Sequence, residues 1–397
     1  MQVNTNKTLS ERVLNMEESA TLLMAKKSRE LKAQGKNIIT LSLGEPDFSP
    51  PKHIQQAAID AINANQYNSY PPVSGYEALR VAICNKLKRE NDLNYSPNQI
   101  IVTNGVKHAL INIIMALINE GDEVIIPTPY WVTYSEQVTF AGGKNIFVNT
   151  TLENNFKITP EQLENAISSK TKLFMFSSPC NPTGAVYSKH ELRLLADVFK
   201  KYPHVYIASD EIYEHINYVN KHESIAWFKD IFDQVIVLNG FSKAFAMPGW
   251  RVGYLAANDE ISKACEKIQG QMTSGVASIM QMGALAALST KSNDVEEMKN
   301  IFLRRRNIAY DILTTIPKIE LALPDGAFYL FLKVSDYFND KITNADDLSL
   351  DILDSMNIAV VSGKSFGAPE YIRLSYATSE DLLVEGLNRL KEYFLKL

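Results

Sequence analysis

Lys243 stands in NGFSK, directly behind the apolar run QVIVL. A lysine placed behind such a strand can be kept from water, which lowers its pKa and leaves an amine able to attack a carbonyl. Asp210, in SDEIY, follows the run HVYIA, and Tyr213 lies just beyond it. An aspartate there can pair with a protonated ring nitrogen. Asn104-Gly105-Val106-Lys107 follows QIIVT and opens a helical stretch; free amides at a helix start hold anions. Trp131, beyond DEVII, offers a ring face for stacking, and Asn181 sits in SPCNPTG after KLFMF. Each has a plainer reading alone. Asn-Gly is a common turn, Asp-Glu a helix cap, Pro and Gly punctuate loops, and lysine is usually solvated. Together they meet the needs of pyridoxal phosphate: an amine for the covalent bond, a ring-nitrogen partner, a phosphate cup and a ring face.

The elements that must position these residues alternate between β and α. Residues 37–43, 99–103, 122–126, 172–176, 204–208, 234–238 and 252–256 read as strands, most of them unbroken apolar runs. Strands buried on both faces lack alternation. Helical periodicity marks residues 77–89, 107–119 and 189–200. Such alternation predicts a mostly parallel sheet covered by helices, with ligands beyond the carboxyl ends of its strands. Near residue 290 the pattern changes to a polar stretch, a long helix over 300–315, short strands near 327–332, 358–361 and 371–374, and a last helix over 379–395. That reads as a smaller α+β domain. Residues 9–33 read as helical and are expected to pack against it. The expected division is a large domain over 45–292 and a discontinuous small one from 1–44 and 293–397.

Composition narrows the function. The chain has 397 residues and a formal net charge of −5, which opposes a general affinity for nucleic acid or anionic membrane. No apolar run approaches the ~20 residues of a membrane span, and the polar N-terminus lacks the apolar core of a signal peptide. Cys84, Cys180 and Cys265 lie far apart, without CxxC spacing, so neither a disulfide framework nor a zinc site is expected. A reduced cytoplasm suits them. The six histidines show no metal spacing, and no metal is expected.

The strings SPCNPTGAVYS, SDEIYEHI, NGFSKAFAMPGWRVGY and YIRLSYATS, with LGEPDF, YPPVSGYEALR and PYWVTY, resemble the class I aminotransferases of pyridoxal-phosphate fold type I. The likeness runs over residues 10–395, in order, and is strongest to the bacterial aspartate and aspartate/prephenate subgroup. It implies an α/β fold whose large domain has a mostly parallel seven-stranded sheet flanked by helices, with a smaller α+β domain. It implies that Lys243 holds the cofactor covalently and then carries a proton, and that Asp210 keeps the ring nitrogen protonated. Tyr213 and Asn181 would bond the cofactor's phenolic oxygen, and Trp131 would stack on its ring. Arg251, the Gly105 and Val106 amides and Ser242 would hold the phosphate. Tyr70 would reach the phosphate of a partner subunit, so a homodimer with shared sites is implied. Arg373 would clamp the substrate α-carboxylate, with the Gly44 backbone beside it; a planar guanidinium suits that task. Two departures stand out. Cys180 replaces an asparagine of many relatives and is read as packing. Gly240 replaces a phosphate-binding serine of some, so that contact is expected to be missing.

For the second carboxylate of a dicarboxylic amino acid, one branch of the family uses a partner arginine after the cofactor arginine; here no arginine lies between Arg251 and Arg304. The resembling subgroup uses a lysine after the phosphate turn and hydroxyls of the N-terminal helix, here Lys107, Ser19 and Thr21. A lysine in a helix first turn is unfavourable by itself, which argues for an anionic partner. The expected reaction is amino transfer from aspartate to 2-oxoglutarate. The alternatives are prephenate transamination, which the same residues would serve, an aromatic or broad-range aminotransferase, and elimination chemistry on the same cofactor cage. Tyr134, Phe328 and Tyr329 could line the pocket, but the sequence does not orient them. A DNA-binding regulator with a sensor domain of this kind is disfavoured, because too few residues precede the first strand to form another domain.

Overall fold

The computed structural model describes residues 9–18, 20–219 and 221–397. Its strands, in chain order, are β1 (Ile39–Thr40), β2 (Ile100–Thr103), β3 (Glu123–Thr128), β4 (Lys144–Asn149), β5 (Thr171–Ser177) and β6 (Tyr206–Asp210), then β7 (Val235–Gly240), β8 (Gly253–Ala256), β9 (Tyr329–Lys333), β10 (Ile358–Ala359), β11 (Val361–Ser362) and β12 (Tyr371–Ser375).

Seven strands form one sheet in the order β2-β8-β7-β6-β5-β3-β4. All pairings are parallel except those of β8, which runs antiparallel to β2 and β7. The apolar runs are continuous because both faces are buried. Along β7, Ile236 and Leu238 enter one core while Val235 and Val237 enter another; on β5, Leu173 and Met175 separate from Phe174 and Phe176 in the same way. Alternate residues of a strand point to opposite faces, so the two cores are the two sides of the sheet. Helix Val106–Leu117 covers one with Ala109, Leu110, Ile113 and Ile114, and helix Glu77–Asn91 covers the other with Leu79, Ile83 and Leu87.

The C-terminal part carries a three-stranded antiparallel sheet, β11-β12-β9, and β1 pairs in parallel with β10. Ser375 N–H then donates to the Leu41 carbonyl at 2.7 Å, so the N-terminal segment is stitched to the C-terminal strands. With the division expected from the sequence, the large sheet falls wholly in one unit and the other five strands in the second.

Three details differ from the sequence reading. The large sheet's seventh strand is β4, left unassigned there, whereas residues 39–40 join the C-terminal strands. β4 lies at the sheet edge and none of its residues is fully buried, so its KNIFVN segment carries no buried-strand signature. The stretch 9–33 is two helices, Glu11–Leu14 and Ala20–Ala33. The first buries no side chain, and after it Glu17 N–H leaves helical pairing to donate to Glu136 Oε2 at 2.8 Å.

Candidate active site

The carboxyl ends of β2, β3, β5, β6 and β7 open on one cavity of about 520 Å³. Because β8 is antiparallel, its beginning lies at the same rim, and this brings Arg251 there. Lining the cavity are Lys243, Asp210, Tyr213, Asn181, Trp131, Arg251, Val106, Ser242, Arg373, Gly44, Lys107 and Thr21. These residues, spread over most of the chain, were each singled out by the sequence.

Lys243 follows β7 on the turn to the short helix Pro248–Trp250. Its ammonium donates to the Gly44 carbonyl and lies 5.6 Å from the centre of the Tyr213 ring. Burial pushes its pKa down to about 8, helped by the charges of Arg373 and Arg251 and opposed by Glu45 and Asp210. Relative to an ordinary lysine, the neutral fraction at pH 7 rises about 300-fold. Asp210 ends β6 with only 3% of its surface exposed. Burial raises its pKa to about 6, opposed by the Tyr134 hydroxyl, which donates to Oδ2 at 2.8 Å, and by the Ile212 N–H.

The corner between Gly105 and Arg251 is shaped by backbone. Gly105 is the N-cap of helix Val106–Leu117 and has φ +76°, a left-handed value that a side chain would strain. A Cβ there would sit 2.5 Å from Arg251 Nη2, so glycine lets the guanidinium lie against the helix start. Arg251 donates to the carbonyls of Asn104 at 3.1 Å and Pro248 at 3.0 Å. It is itself left-handed, at φ +56°, a conformation that costs about 1 kcal/mol or more. A Cβ at Gly240 would meet Cα of Gly253, its antiparallel partner on β8, at 2.8 Å; the close β7–β8 pairing would have to shift to admit a serine there.

Arg373, on β12, is 2% exposed. Its Nη1 donates to Asn181 Oδ1 and its Nη2 to the Ser42 carbonyl, both at 2.8 Å. Its Nε finds no hydrogen-bond partner among the described residues. Lys107 Nζ lies 5.2 Å from the centre of the Trp131 ring. Although the residue is exposed, loss of water at the cavity wall and the nearby Arg251 charge lower its pKa. His108, its neighbour, accepts the Asn104 N–H at Nδ1, and burial lowers its pKa.

Two of the expected residues, Tyr70 and Gly105, are not among those lining the cavity. Tyr70 is 94% exposed and is absent from the cavity lining of this single chain. Ser19 lies outside the described residues. Of the three aromatic residues expected as possible pocket lining, Tyr134 and Tyr329 line the cavity and Phe328 does not; to Glu45 the sequence assigned no role. Glu45 lines the cavity and acts on Lys243 by charge; Tyr134 holds Asp210; Tyr329 bonds Tyr213. Glu45 and Tyr134 stood in LGEPDF and PYWVTY, and Tyr329 in the strand expected near 327–332, but side-chain direction was not legible. Cys180 is buried, and burial raises its thiol pKa, as suits packing.

Residues 36–390 match the family of aminotransferases class I and II. The chain belongs to that family. Among relatives of this aminotransferase, an aspartate aminotransferase of Bacillus subtilis is 44% identical over 391 residues, covering 98% of this chain and 99% of its own. An aspartate/prephenate aminotransferase of Nitrosomonas europaea is 43% identical, covering 96% of this chain and 98% of its own. Among solved structures, the aspartate aminotransferase of Thermus thermophilus with maleate superposes with a TM-score of 0.92 at 38% identity, covering 97% of this chain and 99% of that one.

Behind the rim lies a second polar cluster. Glu214, 6% exposed, pairs closely with Lys86 and accepts from Asn91 Nδ2 at 2.9 Å and Asn239 Nδ2 at 2.8 Å. Burial alone would raise its pKa, but the charges of Lys86, His215 and His222 hold it well below the carboxylate range. Glu211 meets His222 Nε2 at 2.9 Å and two serine hydroxyls. Side-chain N and O atoms of Glu211, Glu214 and His222, and of Glu90, Glu214 and His215, come within 4.8 Å of one another; Lys86 pairs with Glu214 and Glu90, and His222 with Glu211.

Proposed function

We propose that this aminotransferase moves the amino group of L-aspartate to 2-oxoglutarate through pyridoxal 5′-phosphate, in a ping-pong cycle. The observation that carries the reading is the cavity itself. It sets the depressed amine of Lys243, the buried Asp210, the Gly105–Arg251 corner and two separate cations, Arg373 and Lys107, around one space. The residues fit the cofactor. Lys243 supplies the amine, Asp210 a carboxylate for the ring nitrogen, Tyr213 and Asn181 polar groups for the phenolic oxygen, and Trp131 a ring face. Arg251, Ser242 and the Gly105 and Val106 amides take the phosphate. When bound, pyridoxal phosphate supplies the carbonyl that accepts the amino group and the ring that stores the electron pair released at the substrate Cα.

The chain's own residues supply the rest. Arg373 holds the α-carboxylate, and its unpartnered Nε offers a further donor. With the carboxylate fixed, the Cα–H can face Lys243, whose amine at a pKa of about 8 is matched to taking and returning that proton near neutrality. Tyr213 donates to the cofactor oxygen. Lys107 and Thr21 take the distal carboxylate; Ser19 is assigned the same role by resemblance alone. The Thermus relative with maleate, a dicarboxylate, supports this choice. Prephenate is the second reading, favoured by the Nitrosomonas relative's name; it too carries a carboxylate away from the reacting end. Tyr70, fully in solvent here, fits the expected role of reaching a partner's phosphate in a homodimer. Three free thiols suit a reducing, cytoplasmic setting.

The test is a single-turnover absorbance experiment on the loaded protein. Aspartate and glutamate should convert the cofactor to its aminated form far faster than alanine or tyrosine. Lys107→Ala should slow the dicarboxylates by about 10- to 100-fold, the worth of one charge-assisted hydrogen bond, and leave alanine unchanged. Faster conversion by tyrosine or alanine than by aspartate would move the function to an aromatic or broad-range aminotransferase.

A further inference from the structure

We infer that Tyr329 is a positioning residue that acts through Tyr213 to set the electronic state of the bound cofactor. The inference rests on the cofactor reading given above. The two hydroxyls lie 2.6 Å apart, with their rings at 76° and 5.8 Å between centres. Both residues are buried, at 3% and 0% exposure. Tyr329 begins β9, opposite Ser375 of β12, and Arg373 is the diagonal neighbour on the same face of that pair. The Arg373 guanidinium accordingly lies 4.4 Å from the centre of the Tyr329 ring. At its other end, the Tyr329 hydroxyl is wedged against Gly44; a Cβ there would come within 2.6 Å of it. The absence of a side chain at Gly44 is what admits the hydroxyl. One tyrosine thus touches the carboxylate clamp, the backbone that receives Lys243 and the tyrosine facing the cofactor. The charged groups acting on the pair are Arg373, Asp210, Glu45 and Lys243.

A phenol has one proton to donate. If Tyr213 gives its proton to the cofactor's phenolic oxygen, it must accept the proton of Tyr329. Accepting a hydrogen bond makes a hydroxyl a better donor. Tyr329 therefore strengthens the bond from Tyr213, favours negative charge on the phenolic oxygen and lowers the pH at which the bound cofactor titrates.

The experiment is a pH titration of the visible absorption band of the holoenzyme. Tyr329→Phe keeps the ring beside Arg373 and removes only the hydroxyl. Its midpoint should rise by about half a unit to one unit, the size of one neutral hydrogen bond. In a Tyr213→Phe background the same change should move the midpoint by much less. Gly44→Ala, which crowds the hydroxyl away from Tyr213 without removing it, should also raise the midpoint. An unmoved midpoint in Tyr329→Phe, or an equal shift with and without Tyr213, would overturn the inference and leave the cofactor reading intact. Absence of any visible band in the unaltered protein would overturn the cofactor reading, and this inference with it.

Discussion

Replacing Lys243 by methionine should stabilise the cofactor-free protein at neutral pH while abolishing turnover. Burial holds the lysine pKa at about 8, against 10.5 for a free side chain. At 1.36 kcal/mol per unit, that gap is a folding penalty of about 3 kcal/mol wherever the unfolded chain holds the proton. The sign follows from proton counting. Between pH 8 and 10.5 the unfolded state binds more protons than the native state, so stability rises with pH across that window and the penalty is complete below pH 8. Methionine has similar length and no charge, so it removes the penalty; it also removes the bond to the Gly44 carbonyl, which returns about 1 kcal/mol of the gain. The net expectation is about 2 kcal/mol at pH 7, shrinking toward zero or below near pH 10.5. Urea unfolding of the two cofactor-free proteins at pH 7 and pH 10 measures it, with unchanged m-values showing that the same surface is exposed. A variant less stable than the parent at pH 7, or a difference independent of pH, would refute the claim that Lys243 is held in a site hostile to its charge.

Tyr134→Phe removes a donor to a buried carboxylate, worth about 1.5–3 kcal/mol, so Asp210 should become harder to ionise. The acid limb of kcat/KM against pH should move up by about one to two units; a fixed limb would separate Tyr134 from Asp210. Gly105→Ala forces a side chain to φ +76° and into the Arg251 guanidinium. Cofactor affinity, followed by equilibrium dialysis, should fall at least about tenfold while far-UV circular dichroism is unchanged. Lys86→Met leaves Glu214 buried without its cation and should cost about 3–5 kcal/mol in urea unfolding. The double variant Lys86→Met with Glu214→Leu should recover most of that loss.

Legibility in the sequence followed the physics of each residue. Lys243, Asp210, Asn181 and Trp131 were readable because each lies just beyond an apolar run. A strand buried on both faces has that signature, and a parallel sheet gathers its carboxyl ends. Arg251 owes its place instead to the antiparallel β8, which no local pattern announces; the family motif supplied it. β4 was missed because a strand at a sheet edge needs only one buried side. Tyr70 could be named but not placed, since its expected target belongs to another chain. Glu45 and Tyr134 sat in recognised motifs and Tyr329 in an expected strand, yet their roles depend on side-chain direction, which spacing does not carry. Lys86 and Glu214 are 128 residues apart and gave no signal; a lysine in an amphipathic helix reads as solvated.

That last pair explains how the readable residues hold their positions. The turn after β6 carries Asp210 and Tyr213 on the cavity side and Glu214 on the opposite side. The Glu214 carboxylate collects Lys86 and Asn91 from helix Glu77–Asn91 and Asn239 from β7, shortly before Lys243. One buried anion therefore ties the Asp210 turn, the Lys243 strand and a covering helix into a single unit. A hydrophobic cluster could fill the same volume at equal or better stability. It would not fix the relative direction of the two turns, because apolar contacts are non-directional whereas a carboxylate with defined donors sets angles as well as distances. The proposed transfer of a Cα proton by Lys243 over a ring held by Asp210 would demand that alignment to within a fraction of an ångström. The network behind the rim meets that demand, and it does so where neighbouring strands of the sheet present Lys243 and the buried Asp210, each with its pKa shifted by burial.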